Sequence, residues 1–149
     1  MKDSTIRFDI DSQIRSAWHA ISRMYNEKAK TYGVTTSLAF TLLNIGKNGV
    51  LSTQLGPAMG MEARSLTRTL KRMDELGLIN KVNDPIDRRK VRITLTQFGL
   101  DKRKEAAIEV KKFNTMIYKE VGVEKMDTFF EVMDVVLNRV NNIQKEKSK

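Results

Sequence analysis

The most informative segment of this chain is Asp84-Pro85-Ile86-Asp87-Arg88-Arg89-Lys90-Val91-Arg92-Ile93-Thr94-Leu95-Thr96-Gln97-Phe98-Gly99. Its first half contains turn-forming residues, and 91–95 alternates apolar and polar side chains as a half-exposed strand does. The segment 78–82, before the turn, also has the composition of a short strand. We therefore predict a β-hairpin whose tip carries three adjacent cations, Arg88, Arg89 and Lys90.

A basic amphipathic helix is predicted just before this hairpin, from about Glu62 to Leu76, with Gly77 as its stop signal. At about 100° per residue, its apolar residues fall on one side. These are Leu66, Leu70 and Met73, and the opposite side holds Arg64, Ser65, Thr67, Arg68, Lys71 and Arg72. The major groove of B-DNA admits one helix, and arginine can bond O6 and N7 of guanine. The pattern indicates a DNA-recognition helix; the alternative is an ordinary solvated face.

Two helices are predicted at the start of the chain. Apolar residues recur at three- and four-residue steps over 10–30, and Asp9 or Asp11 can cap this helix. Thr35 is a good N-cap for the second helix, which Gly46 ends.

A short third helix is predicted over about 52–60, with Ser52 or Thr53 as its N-cap. Pro57 lies inside this helix and is expected to distort it, and Gly60 closes it. A short helix, a basic helix and a hairpin in this order predict a winged helix-turn-helix.

Two long helices are predicted after the hairpin, one capped by Thr96 and running to about Val121 and one over about 124–145. The apolar face of the last helix, like the stripe over 10–25, needs more cover than one small domain offers. The predicted fold class is mainly α with a small β-hairpin wing, a winged helix-turn-helix with long N- and C-terminal dimerisation helices.

The charge distribution also favours nucleic acid. The chain has a formal net charge of +9, and residues 62–92 hold nine basic against five acidic residues. A concentrated basic surface is typical of proteins that bind the DNA backbone. The last 49 residues hold 11 basic and nine acidic residues, as an ordinary exposed surface does.

The stretch 84–99 resembles the wing signature of the MarR family, which is Asp-x-Arg, a short strand, Leu-Thr and a glycine three residues after the threonine. Segments 52–55 and 65–79 resemble the third helix and recognition helix of that family. Two departures are visible: Pro57-Ala58-Met59-Gly60 interrupts the third helix, and 37–39 lacks a common glutamine.

The resemblance implies a homodimer that grips a pseudo-palindromic operator in double-stranded DNA. We expect a winged helix-turn-helix lobe over 34–98 and dimerisation helices over 9–32 and 99–145. Arg89 matches the arginine of Asp-x-Arg and is predicted to enter the minor groove, while Asp87 is expected to brace an arginine. The predicted DNA-binding residues are Ser52, Thr53, Arg64, Ser65, Thr67, Arg68, Lys71, Arg72, Arg88, Arg89 and Lys90.

The amino-acid composition limits the kinds of regulatory signal that the protein can sense. The chain has no cysteine, which excludes a thiol switch, and its single histidine disfavours metal sensing. The resemblance implies a small aromatic effector, held where the dimer helices meet the winged lobe. The candidate lining is Trp18, His19, Ile21, Tyr25, Phe40 and Leu43; the alternative is that these residues simply fill the core.

Other classes of protein fit the sequence less well. We find no nucleophile–base constellation and no glycine-rich phosphate loop, so we expect neither an enzyme nor a cofactor. The sequence has no membrane-length apolar run and no signal-peptide pattern at its N-terminus, and we expect a cytoplasmic protein. We therefore predict a transcription regulator that acts as a repressor. The alternative is an architectural or protein-interaction winged-helix protein without a ligand response.

Overall fold

The structure is a computed structural model that describes residues 9–146, and the chain divides into two compact units, one ending at Ala107 and one beginning at Ile108. Its elements are α1 (Ile10–Thr31), α2 (Thr36–Asn44), β1 (Val50–Leu51), α3 (Ser52–Met59), α4 (Ala63–Glu75), β2 (Ile79–Asn83), β3 (Val91–Leu95), α5 (Gln97–Val121) and α6 (Val123–Glu146). The mainly helical fold with a small wing is thereby confirmed. Among the helices of residues 9–146, none combines the length and apolarity that a membrane crossing requires.

Side-chain caps begin three of the helices, as the sequence predicts. The Asp9 carboxylate accepts the N–H of Ser12 at 3.3 Å, and the Thr35 hydroxyl accepts that of Leu38 at 3.3 Å. At the start of α5 the Thr96 hydroxyl accepts the N–H of Gly99 at 3.0 Å. Each cap satisfies a backbone donor that has no partner inside its helix.

The start of α3 differs from the prediction. The N-cap is Leu51, which has no capping side chain, and Ser52 is already the first helical residue. The reason is the strand β1, which the sequence analysis missed: Val50 pairs with Ile93 and Leu51 with Arg92, so the helix begins where the strand ends. The sheet consequently has three antiparallel strands in the order β1-β3-β2.

Pro57 lies within α3 without ending it. The helix continues to Met59 and closes at Gly60, whose φ of 60° is the left-handed conformation that glycine adopts most readily. Because α3 has only eight residues, the missing donor of Pro57 affects a single helical turn near its end. The short helix and its stop are therefore as predicted.

The first unit has one hydrophobic core between α2, α3, α4 and the sheet. Its buried members are Leu38, Leu42, Ile45, Leu55, Leu66, Leu70, Met73, Leu78, Ile79 and Ile93. Burying a leucine or methionine side chain contributes about 1.5–3 kcal/mol. The three that α4 supplies, Leu66, Leu70 and Met73, are the predicted apolar side, so the opposite side of α4 faces outward.

A compact junction joins the end of α4 to the start of α5. The Thr96 hydroxyl donates to the carbonyl of Gly77 at 2.6 Å, and the Thr96 N–H donates to the carbonyl of Leu78 at 3.1 Å. A Cβ added at Gly99 would lie 2.0 Å from the Leu78 oxygen. Thr96 and Gly99 are thus required together, because Thr96 makes the hydrogen bonds and the missing Cβ of Gly99 leaves room for the Leu78 carbonyl.

The second unit contains the end of α5 and all of α6. Met126 is its buried apolar residue, and many other apolar side chains of α6 are exposed. The exposed ones include Phe129, Phe130, Val132, Val135, Leu137, Val140 and Ile143. The described chain therefore leaves much of this helix's apolar surface in contact with solvent.

Candidate nucleic-acid interface

The outward side of α4 carries cations that no carboxylate neutralises. Arg64, Arg68 and Lys71 are exposed, and within residues 9–146 none of them forms an ion pair. The first turn of α4 contains no acidic residue. An uncompensated basic side opposite a buried apolar side is the arrangement that a major-groove helix needs.

The next basic residues along the chain do have acidic partners. Arg72 lies 3.4 Å from Glu75, and Lys81 lies 3.1 Å from Asp74. All four side chains are substantially exposed, so these pairs contribute little stability. The unpaired positive charge of α4 is therefore concentrated between Arg64 and Lys71.

The four predicted contact residues that carry hydroxyl groups lie on the two helices α3 and α4. Ser65 and Thr53 are exposed and Ser52 is half-buried, and none of their hydroxyl groups caps α3 or α4. Thr67 donates its hydroxyl hydrogen to the carbonyl of Ala63 at 2.9 Å. Since phosphate oxygens only accept hydrogen bonds, Thr67 is a weaker candidate for a phosphate contact than the three serine and threonine residues above.

The wing loop, residues 84–90, presents the second set of cations. Arg88, Arg89 and Lys90 are all exposed at its tip. Lys90 lies 3.7 Å from the Asp87 carboxylate, whereas neither arginine is paired within the described chain. The two arginines therefore provide the uncompensated charge of the wing.

Asp87 holds an arginine, as expected, but through the backbone of Arg89 and not through a guanidinium group. Asp87 accepts the backbone N–H of Arg89 at 3.1 Å, because it lies within the turn and faces that amide. The carboxylate that binds a guanidinium is Asp84, which receives Nη2 of Arg92 at 2.7 Å and Nε at 2.9 Å.

The environment of Asp84 favours its charged form. Its pKa lies below the ordinary 3.8, first because of the hydrogen bond from the backbone of Asp87 and then because of the one from Arg92. The side chain is only 5% exposed, and burial opposes this effect without reversing it. Asp84 therefore remains an anion at the base of a cationic loop.

The predicted effector residues are brought together only in part. Phe40 of α2 stacks with Trp18 of α1 at 6.2 Å between ring centroids and meets Tyr25 edge-on at 5.6 Å. Trp18 is 55% exposed, so it does not fill a core within the described chain. His19 is also exposed. Three aromatic rings thus form a half-open cluster between α1 and α2.

The sequence gives no local signal for the pairing of Asp84 with Arg92 or for the exposure of Ile86. In the sequence Asp84 and Arg92 contribute only to the charge balance of residues 62–92, because a contact between two strands produces no pattern within either strand. Ile86 is 92% exposed at the wing tip, beside the arginines.

Comparisons with known proteins agree with this geometry. Residues 34–99 match the family of winged helix DNA-binding domains. The chain is 27% identical over 124 residues to the HTH-type transcriptional regulator BilQ of Clostridioides difficile (strain CD3), covering 82% of this chain and 81% of BilQ.

Two solved structures share the fold. The S. aureus MepR–DNA complex superposes with a TM-score of 0.79 at 16% identity, covering 89% of this chain and 98% of MepR. The PcaV transcriptional regulator of Streptomyces coelicolor, in complex with its natural ligand, gives 0.76 at 20% identity, covering 93% and 98%.

The domain match and the exposed basic helix define a protein with a winged-helix DNA-binding domain. The order of the helices and the three-stranded sheet identify the fold more closely. The chain has the fold of the MarR family of regulators.

Proposed function

We propose that this protein is a dimeric, sequence-specific repressor that places α4 in the major groove and the β2–β3 wing in the adjacent minor groove of an operator. The observation that carries the proposal is the distribution of ion pairs. Within residues 9–146, α4 and the wing loop hold five cations without an ion-pair partner, which are Arg64, Arg68, Lys71, Arg88 and Arg89. The neighbouring basic residues Arg72, Lys81, Lys90 and Arg92 have carboxylate partners. A cytoplasmic location is part of the same proposal.

The roles of the proposed contacts follow from their chemistry. Arg64 and Arg68 read base edges, since arginine can donate two hydrogen bonds to guanine. Lys71, Arg72, Ser52, Thr53, Ser65 and Thr67 contact phosphates and fix the helix position. Arg89 enters the minor groove, where the negative potential attracts arginine, and Arg88 and Lys90 neutralise phosphates.

The test is DNA binding by the parent and by Arg68→Ala. Selection from a random-sequence duplex pool should yield a two-fold related sequence, and anisotropy titrations should show that Arg68→Ala weakens binding to it by about 1–3 kcal/mol and relaxes its sequence preference. Lys104→Ala is the matched control, because it removes the same charge from an exposed position on α5. Unchanged affinity and preference in Arg68→Ala would contradict the assignment.

The same experiment separates the proposed repressor from an architectural winged-helix protein. An architectural protein binds through the backbone and DNA deformability, so the selection should enrich no sequence and Arg68→Ala should act equally on all duplexes. Enrichment of one short sequence excludes that alternative.

The dimer is proposed from exposed apolar surface, considered in each unit by itself. In the first unit Ile10, Ile14 and Trp18 of α1 are exposed at four-residue spacing. In the second unit α6 exposes eight large apolar side chains, with Phe129 and Val140 among them. Soluble monomers rarely expose continuous apolar surface of this extent, and a second copy of the chain covers it in the proposed dimer.

A small aromatic effector is proposed for the cluster of Trp18, Tyr25 and Phe40, with His19 beside it. The half-exposed rings offer stacking surface, and the similar fold of PcaV is known in complex with its natural ligand. Such a ligand weakens operator binding only if it binds the DNA-incompetent state more tightly.

Calorimetry and DNA titration with a panel of aromatic carboxylates test the effector. We expect at least one to bind below millimolar concentration, to change Trp18 fluorescence and to weaken operator binding several-fold. If no compound binds and Trp18→Phe represses as the parent does, the protein is a constitutive regulator.

A further inference from the structure

The wing loop is organised around a buried carboxylate. Both oxygens of Asp84 are fully used: Oδ2 accepts the N–H groups of Ile86 at 3.2 Å and Asp87 at 3.0 Å, while Oδ1 receives two N–H groups of Arg92. The Asp84 N–H also donates to the carbonyl of Lys90 at 2.9 Å. One residue thus closes the loop at both ends.

Arg92 extends this network out of the wing. Its Nη1 donates to the carbonyl of Asn48 at 3.4 Å, in the turn between α2 and β1 and 44 residues away along the chain. The Arg92 side chain is 26% exposed, its Nε and Nη1 donate hydrogen bonds to protein oxygens, and its Nη2 lies 2.7 Å from Oδ1 of Asp84. Arg92 therefore directs its charge into the protein and links the wing to the helix-turn-helix body.

The network continues toward the tip. The Asp87 amide is held by Asp84, and the Asp87 carboxylate in turn accepts the N–H of Arg89. The Lys90 N–H donates to the Asp87 carbonyl at 2.9 Å. The backbone that carries Arg88 and Arg89 is therefore connected, bond by bond, to a buried ion pair.

We propose that Asp84 and Arg92, called the brace from here on, position Arg88 and Arg89 for DNA without touching it, which makes Asp84 a specificity-determining positioning residue. The inference rests on the proposed function, in which Arg89 enters the minor groove. A loop held in its binding conformation loses less conformational entropy when it binds. Arg92, although basic and next to the wing tip, is not a DNA contact.

The direction of the effect distinguishes the brace from simple electrostatics. Asp84→Asn raises the net charge by one, and charge alone would tighten DNA binding. The brace predicts the opposite, an affinity about tenfold lower. Asp74→Asn is the matched control, because it makes the same charge change by breaking the exposed pair with Lys81, and it should bind as tightly as the parent or slightly more tightly.

A double-mutant cycle shows whether Asp84 acts through the wing tip. Asp84→Asn is measured in the parent and in Arg89→Ala, by anisotropy on the duplex selected by the parent and on the unselected pool. If the brace positions Arg89, the loss caused by Asp84→Asn should largely disappear in Arg89→Ala. A loss of equal size in both backgrounds would overturn the brace, since a general loss of structure acts in both.

A second variant keeps the test decisive if Asp84→Asn does not fold, which thermal melting will show. Arg92→Lys keeps the charge, but one ammonium group cannot reproduce the directed donors of a guanidinium, so it should show the same loss and the same dependence on Arg89. Additive losses for Arg92→Lys would overturn the proposal equally.

The outcomes for the brace and for the proposed function remain separate. Failure to enrich any sequence contradicts the sequence-specific regulator, whereas the cycle on the unselected pool still decides the brace. An enriched sequence with an additive cycle overturns the brace alone. Full binding by Arg89→Ala contradicts the minor-groove contact and the brace that depends on it.

Discussion

At the scale of single residues, this structure separates cations that are available to a partner from cations that are used internally. Arg92 and Arg89 are three positions apart, yet Arg92 is held by Asp84 and Asn48 while Arg89 has no carboxylate partner in the described chain. A count of basic residues treats them alike. Their hydrogen-bond partners assign them different roles.

Lys90 provides a residue-scale prediction for the wing. Lys90→Ala should weaken binding to all duplexes similarly and reduce the slope of log affinity against log salt by about one, since it removes one phosphate contact. Titrations from low to physiological salt measure the slope. Lys104→Ala should leave it unchanged, and a Lys90→Ala variant with the parental slope would contradict the contact.

Asp84 provides a residue-scale prediction for acid stability. Because its folded pKa lies below the ordinary 3.8, its contribution to folding is fully present above that pH and is lost as the pH falls through the folded pKa. Asp84→Asn should therefore melt below the parent at neutral pH, and the difference should shrink below about pH 4.

Melting curves from pH 7 to pH 3 test the acid prediction. Asp74→Asn is the control, and its exposed pair should give only a small difference across the series. A constant gap between Asp84→Asn and the parent down to pH 3 would show that the stabilisation does not depend on the charge of Asp84.

Among the elements, α4 is held along its apolar side and at its C-terminal end. The apolar side of α4 is buried in the core, and the Thr96 hydroxyl and N–H bind the carbonyls that follow its last turn. Thr96 and Gly99, which belong to the segment 84–99, are thus explained by the contacts between the end of α4 and the start of α5. These residues position α4 without belonging to its outward side.

Gly99 tests this junction. Gly99→Ala should destabilise the protein by about 1–3 kcal/mol, because its Cβ would lie 2.0 Å from the Leu78 oxygen and the backbone would have to move. Denaturant unfolding at fixed protein concentration measures the loss. Gly46→Ala is the control, since its Cβ would meet its nearest atom at 3.9 Å, and equal losses for both variants would contradict the junction.

At the scale of the whole molecule, the exposed apolar surface calls for a second copy of the chain. Sedimentation should show that the parent is a dimer at micromolar concentration, with recognition helices about 34–36 Å apart if it spans one DNA turn. Val140→Asp should dissociate the dimer, because it places a charge among the exposed apolar residues of α6.

Asn138→Asp is the matched control for this prediction. It adds the same charge to α6 on the opposite side of the helix, about 160° from Val140, and should leave the dimer intact. A folded, soluble parent monomer at micromolar concentration would contradict the dimer, and equal behaviour of the two variants would place the interface elsewhere.

Features that depend on neighbours within a few residues could be predicted from the amino-acid sequence. Periodicity gave the apolar and basic sides of α4, the caps at Asp9, Thr35 and Thr96 follow from local hydrogen bonds, and the three cations of the wing tip are adjacent in the chain. Such features arise from helix and turn geometry, which is fixed by short segments.

Contacts between groups that are far apart in the chain could not be predicted in this way, because they depend on how the elements pack. Strand β1 exists because Val50 lies opposite Ile93, and two residues are too few to show alternation. The bond from Arg92 to Asn48 joins residues 44 positions apart, and Asp84 reaches Arg92 only because β2 and β3 pair. Charge and hydrogen-bonding capacity are properties of a residue, but the partner that uses them is set by the packing of the whole chain.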